Sequence, residues 1–340
     1  MSDGLQILPV RGIGDVTAGD DLAELITNAA PWLADGDVLV VTSKIVSKAE
    51  GRLVEVPADG PERDEARDRA LASETARVVA RRGPTTIVQT HHGFVMAAGG
   101  IDASNVDKTH LVLLPADPDA SARALRAGFA ARGRDVAVIV SDTMGRAWRN
   151  GLTDVALGAA GIAALRDHRG EIDPYGNELS LTQMAVVDEL SAAADLVKGK
   201  RDRVPVAVVR GYARPEADDR AGASVLIRDT ASDMFSLGTA EARAEGLRDA
   251  ARLPDAVAGV ADQAAVDRAL TLVTGVLTPG TGITAGAGTL RLTPAGAGSA
   301  DLLRLGTDTH RVRVALAAEG VATVLTVDDD GVTLSLGGTA

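Results

Sequence analysis

Three short runs, DVLVVTS (37–43), DVAVIVS (135–141) and VPVAVV (204–209), are almost wholly apolar and rich in β-branched residues. A strand of this kind has no polar face, so it must be covered on both sides, and helices are the usual cover. Helical patterns are present. Segments 20–34, 62–82 and 119–132 lie among further strand-like runs at 5–10, 85–90, 94–98 and 110–114. Asp20 and Asp119 stand where helix caps are expected, and Pro31 marks a last turn. Segment 181–197 is expected to start extended and become helical after Val187. These patterns predict a mixed α/β (α+β) chain with mostly buried strands.

A composition break near residue 246 predicts two domains, 1–245 and a smaller 246–340, each long enough for its own core. In the second, TPGTGITAGAGT (278–289) reads as a flexible hairpin or linker. Its spacing is Gly-x-Gly-x-x-x-Gly and no Val-rich strand leads into it, so it is a poor dinucleotide loop. RVRVAL (311–316) and VATVLTV (321–327) are expected to be strands.

Charge and composition narrow the function. Of the 340 residues, 35 are Lys or Arg and 47 are Asp or Glu, a net charge of −12, which opposes a nucleic-acid footprint. The chain has no cysteine, which removes disulfides, thiolate catalysis and Cys-ligated zinc. The five histidines do not group at metal spacing. No apolar run approaches a membrane span, and the N-terminus shows no signal-peptide pattern, so a cytoplasmic location is expected.

Chemistry concentrates where strands end. SDTMGRAWRNG (141–151) follows one strand and carries Asp142, Thr143, Arg146 and Arg149, while Asp102 lies in GGIDASNVD (99–107) just after another, with Asn105 beside it. Hard divalent cations take oxygen ligands, and magnesium is commonly held by one or two carboxylates plus substrate phosphates. Asp102, Asp142 and Thr143 suit that role. Singly, Asp102 also fits a turn cap and Asp142 a helix N-cap. Arg146 and Arg149 share a face on a helix or turn, and a guanidinium pair matches phosphate or carboxylate oxygens. Equally, such a pair fits a surface salt bridge. TSKIVSKAEGR (42–52) offers Ser43, Lys44, Ser47 and Lys48 as an anion cradle or a solvated lysine pair, and no Walker pattern exists in the chain. Lys198, Lys200, Arg201 and Arg203 crowd before the strand at 204–209, as a solvated face or an anion-facing loop.

Together these stretches resemble the coenzyme F-420:L-glutamate ligases, the F-420-0 gamma-glutamyl ligase family. The resemblance is carried by DGDVLVVTSKIVSKAEGRLV, GGIDASNVD, LLPADPDASARALR, VSDTMGRAWRNGLTDVALGAAGI, DPYGNELSLTQMAVVDELSAAADLVKGK and PVAVVRG, in the family's order over residues 5–245. It implies the family's α/β ligase fold, working as a homodimer, with small-molecule substrates F-420-0, L-glutamate and GTP. It also implies GTP-dependent amide formation through an acyl phosphate, aided by two divalent cations (Mg2+ or Mn2+) and K+. Asp102, Asp142 and Thr143 would hold metal. Ser43, Lys48, Asn105, the turn Ile13–Gly14–Asp15–Val16, and Lys198 and Lys200 of the 197–204 loop would touch the nucleotide. Asp142, Arg146 and Arg149 would serve the phosphoryl transfer. The alternative function is a nucleotide- or phosphate-binding sensor with degenerate catalysis; a dehydrogenase is disfavoured by the missing dinucleotide fingerprint. Two departures from the family stand out. Ile13–Gly14 replaces the usual Leu-Pro of the first turn. The tail is about half the length of the flavin-binding nitroreductase-like domain that follows the ligase domain in the actinobacterial branch.

Overall fold

The structure is a computed structural model, describing residues 4–104, 106–199, 202–214, 221–253, 255 and 258–338. Its contacts divide the chain into two units, Met1–Gly238 and Thr239–Ala340, so the break precedes the expected 245/246 boundary and the helix Thr239–Ala250 falls wholly in the second unit.

In the first unit the strands are β1 (Gln6–Val10), β2 (Val38–Thr42), β3 (Leu53–Glu55), β4 (Thr75–Arg82), β5 (Thr85–Thr90), β6 (Val95–Ala97), β7 (His110–Val112), β8 (Ala137–Arg146), β9 (Arg149–Ala160), β10 (Arg166–Asp167), β11 (Gln183–Met184) and β12 (Val206–Arg210). The helices are α1 (Leu22–Ala29), α2 (Ser43–Ala49), α3 (Pro61–Glu74), α4 (Pro118–Ala130) and α5 (Val186–Lys198). A five-stranded sheet, in the order β1-β12-β2-β8-β9, is antiparallel except for the central parallel pair β2–β8.

The near-continuous apolar runs make this sheet's centre because both of its faces are covered. Leu39, Val41, Val138 and Val140 pack with Ile26 of α1 and Phe129 of α4 on one side. Val38, Val40, Ala137 and Ile139 pack with Val187 and Leu190 of α5 on the other. The alternation along each strand assigns every side chain to one core or the other. The cover is close: a Cβ at Gly158 of β9 would lie 2.1 Å from the Pro118 carbonyl oxygen at the start of α4.

Several local expectations are corrected. The helix expected over 62–82 stops at Glu74, and Thr75–Arg82 becomes β4, paired antiparallel with β5. Thr75, Val78 and Val79 are β-branched and find a ladder there, which overrides the charged helical pattern before them. The caps of α1 and α4 are Asp21 and Asp117, whose carboxylates accept from Glu24 N and Ala120 N, both at 2.9 Å. Asp20 instead accepts from Thr17 N. Asp119 is buried, with its carboxylate accepting from Ala159 N, Ala223 N and Ser224 N.

The second unit contains α6 (Thr239–Ala250), α7 (Gln263–Val273), β13 (Gly282–Gly286), β14 (Thr289–Thr293), α8 (Ser299–Ala318), β15 (Val321–Asp328) and β16 (Gly331–Gly338). Its antiparallel sheet has the order β13-β14-β16-β15, and Val266 of α7 and Leu316 of α8 share a core with Leu292 and Leu334. The Gly/Thr/Ala-rich stretch is an ordered hairpin, β13–β14, with Gly288 at φ +68° in its turn. RVRVAL is not a strand but lies inside α8. Leu305, Thr309, Val312 and Leu316 are buried at helical spacing, a period that the six-residue window was too short to show. VATVLTV is a strand as expected.

Candidate functional site

The parallel pairing of β2 and β8 puts Thr42 opposite Ser141, so both chains leave the sheet at the same end. From there α2 begins at Ser43, while β8 continues to Asp142. Asp102 is brought in by a backbone bridge to Val112 at the end of β7, with hydrogen bonds of 2.9 and 2.8 Å. Lys44, the second residue of α2, reaches it. Its Nζ lies 2.6 Å from Asp102 Oδ2 and donates to Ser104 Oγ at 2.8 Å. Ser104 in turn donates to Asp102 from its backbone N to Oδ1 (2.6 Å) and from its hydroxyl to Oδ2 (3.0 Å).

Beneath these groups lies a buried layer. The register of the β8–β9 hairpin sets Thr143 opposite Asp154. Asp154 accepts from Thr143 Oγ1 at 2.7 Å, from Ser141 Oγ at 3.1 Å and from Lys198 Nζ at 2.7 Å, and Lys198 also donates to Ser141 Oγ at 2.9 Å. Asp154 and Lys198 are both 3% exposed. With its proton committed to Asp154, the Thr143 hydroxyl presents oxygen lone pairs.

The two outer carboxylates respond oppositely to this setting. Burial raises the Asp142 pKa to about 6, the neighbouring Asp154 and Asp102 carboxylates push the same way, and the Thr143 backbone N–H and Lys44 oppose them. Burial also acts on Asp102, but the Lys44 and Ser104 hydrogen bonds outweigh it and hold the carboxyl below its ordinary value. Among the described residues, three carboxylates face two ammonium groups, and Asp142 is the one that neither ammonium contacts directly.

That arrangement fits a divalent cation. Asp102 and Asp142 supply hard anionic oxygens, Thr143 supplies a neutral one, and the cost of charging Asp142 is what a cation there would offset. Among the described residues no three His, Cys, Asp or Glu side chains stand in a ready-made metal cluster, so substrate oxygens or water would have to complete the coordination.

Other expected site residues are placed as follows. Ser43 is buried at the start of α2, and Lys48 lies on the same short helix four positions after Lys44. Ile13 packs beside, and Val16 within, the core under β2, whereas Gly14 and Asp15 are exposed; the left-handed turn is taken by Gly12, at φ +86°. Lys198 is not on a solvated or anion-facing loop. It ends α5 and points inward to Asp154, because helix α5 packs on β9 and the buried carboxylate needs a partner. Arg146 and Arg149 are not on a helix; they face each other at the tip of the β8–β9 hairpin, both exposed, with Arg146 Nη2 donating to Asn150 O at 2.9 Å. Four residues of strand separate Arg146 from Asp142, a backbone separation of roughly 13 Å. Trp148, at the hairpin tip, packs edge-on to Phe235 at 4.8 Å. Asn105, Lys200 and Arg201 lie outside the described residues. Sequence reasoning missed Asp154 and the Lys44 contact. Asp154 carried a signal, a lone acid at an inward position in the apolar run LTDVAL.

Comparison with known proteins covers this same region. The sequence model described as F-420-0:gamma-glutamyl ligase matches residues 12–211, which include Lys44, Asp102, Asp142, Asp154 and Lys198. The chain is 39% identical over 249 residues to the coenzyme F-420:L-glutamate ligase of Methanothermobacter thermautotrophicus, covering 68% of this chain and 99% of that protein. Identity to the protein of the same name from Haloarcula marismortui is 41% over 250 residues, 68% of this chain and 95% of the relative. For that from Halobacterium salinarum it is 42% over 242 residues, 66% and 92%. The second structural unit lies beyond the family match, which ends at residue 211.

Proposed function

The chain belongs to the F-420-0:gamma-glutamyl ligase family, and we propose that it joins L-glutamate to coenzyme F-420-0 in a GTP-dependent reaction. The observation that carries the chemistry is the convergence of Asp102, Asp142 and Lys44 at one end of the β2–β8 pair. The γ-phosphoryl group of GTP passes to the terminal carboxylate of F-420-0, leaving GDP and an acyl phosphate. The glutamate amine then attacks the acyl carbon, loses a proton and expels inorganic phosphate, and further glutamates follow by γ-linkage. Both steps crowd negative oxygens, so catalysis rests on positioning and charge neutralisation.

Asp102, Asp142 and Thr143 would hold divalent cations (two, Mg2+ or Mn2+), with K+ assisting. When bound, these cations offset the charge that builds on the phosphoryl oxygens. Asp154 orients the Thr143 hydroxyl, and Lys198 pairs with Asp154 in the interior. Ser43 and Lys48 offer a hydroxyl and a flexible point charge for phosphate oxygens. Arg146 and Arg149, exposed at the tip of the β8–β9 hairpin, would meet phosphoryl oxygens of a bound substrate. A cytoplasmic homodimer belongs to the same proposal; among the described residues no helix is long and apolar enough to cross a membrane.

Incubation with F-420-0, GTP, L-glutamate and Mn2+, followed by product mass, tests the reading. The expected product carries one added glutamate, then more. GTP binding without any product would replace it with the nucleotide-sensor reading.

A further inference from the structure

Lys44 and Lys198 both neutralise carboxylates at this site, but they are held differently. Lys198 is buried at 3% exposure and fixed by two hydrogen bonds at the end of a thirteen-residue helix. Lys44 is partly exposed, at 19% for its side chain, and its partner Asp102 is 40% exposed. One ion pair is built into the core; the other lies at the edge of the site, where a long lysine side chain can leave.

Asp102 already has partners within the protein. Ser104 N holds Oδ1, while Lys44 Nζ and Ser104 Oγ share Oδ2. A divalent cation held by Asp102 would stand beside an ammonium group that lies 2.6 Å from Oδ2. Two positive charges that close repel strongly, so one must yield.

We propose that Lys44 is a resident counter-ion of Asp102 that a divalent cation must displace. This rests on the reading that Asp102 and Asp142 take such a cation. Lys44 keeps the carboxylate satisfied in the resting site, and the displaced ammonium group becomes free to meet the phosphate oxygens that enter. Cation entry is thereby tied to phosphate entry, because the phosphate supplies the new partner that Lys44 needs.

The test is Mn2+ titration of the full chain without nucleotide, read from the electron paramagnetic resonance signal of free Mn2+. Lys44→Met keeps the aliphatic stem and removes the competing charge, so Mn2+ should bind about tenfold tighter or more, the equivalent of one lost charge-assisted contact. Lys44→Arg restores the counter-ion and should remain within about twofold of wild type, as should Lys108→Met, an equal charge change at an exposed position of the Asp102–His110 loop. Asp142→Asn should weaken Mn2+ binding. Equal affinity of Lys44→Met and wild type, or an equal gain in Lys108→Met, overturns the proposal while leaving the cation site standing. Unchanged affinity in Asp142→Asn overturns the cation site, and the proposal with it.

Discussion

Asp142→Asn should stabilise the cation-free protein at neutral pH while abolishing ligation. In the fold the Asp142 carboxyl titrates at about 6 against an ordinary 3.8, with burial as the chief cause and the Asp154 and Asp102 charges behind it. A folded pKa above the unfolded one means the native state holds its proton longer. The stability this gives is complete below about pH 3.8 and is lost as pH rises to about 6. At pH 8 the charged side chain therefore costs the fold about 3 kcal/mol at most, the shift of roughly two pKa units multiplied by 1.36. Asparagine has the same shape and keeps an oxygen to accept from Thr143 N, a bond of 2.7 Å in the wild type. Urea unfolding at pH 4 and pH 8, without divalent cations, measures the gap. Both tryptophans, Trp32 and Trp148, lie in the first unit, so their fluorescence reports that unit alone. The variant should match wild type at pH 4 and exceed it at pH 8 by up to about 3 kcal/mol. Added Mg2+ should stabilise wild type and leave the variant unmoved. A variant less stable than wild type at pH 8, or a gap that is the same at both pH values, would refute the electrostatic account.

How much of this was legible depended on whether the deciding neighbour was near in sequence. The central strands were readable because a run such as VLVV needs no partner to declare itself buried on both faces. Asp102, Asp142 and Thr143 stood out as candidates because carboxylates and a hydroxyl gather just after such runs, although each also fits a cap or turn when taken singly. The resemblance extended that reading to most of the chain. What failed was set by partners far away. Thr75–Arg82 continues a helical pattern by composition, and only β5 makes it a strand. RVRVAL alternates as a strand would, and only the buried residues before it, Leu305, Asp308 and Thr309, show the helix. Lys198 looked like one of a basic run, but helix packing aims it at a carboxylate forty-four positions earlier. Spacing did not separate Lys44 from Lys48, and the resemblance assigned only Lys48 a contact; a segment about sixty residues on decides that Lys44 finds Asp102. Charge type and strand ends locate a site, whereas pairing within it follows from register and packing.

Two further variants probe that packing. Gly158→Ala should destabilise the first unit by about 1–3 kcal/mol or more, because the new Cβ meets backbone at 2.1 Å from Pro118 O and 2.7 Å from Asp119 N, where no side chain can rotate away; a urea midpoint equal to wild type would mean α4 can lift off β9 freely. The other variant tests the buried pair. Lys198→Met strands the Asp154 carboxylate at 3% exposure and should cost about 3–5 kcal/mol in the same urea assay, whereas the double variant Lys198→Met/Asp154→Asn removes both charges and should recover most of that loss. Mn2+ affinity should be lower in the double variant than in Lys198→Met, since the Thr143 hydroxyl would no longer face a charged acceptor. A double variant as unstable as Lys198→Met alone would show that the stranded Asp154 charge is not the source of the loss.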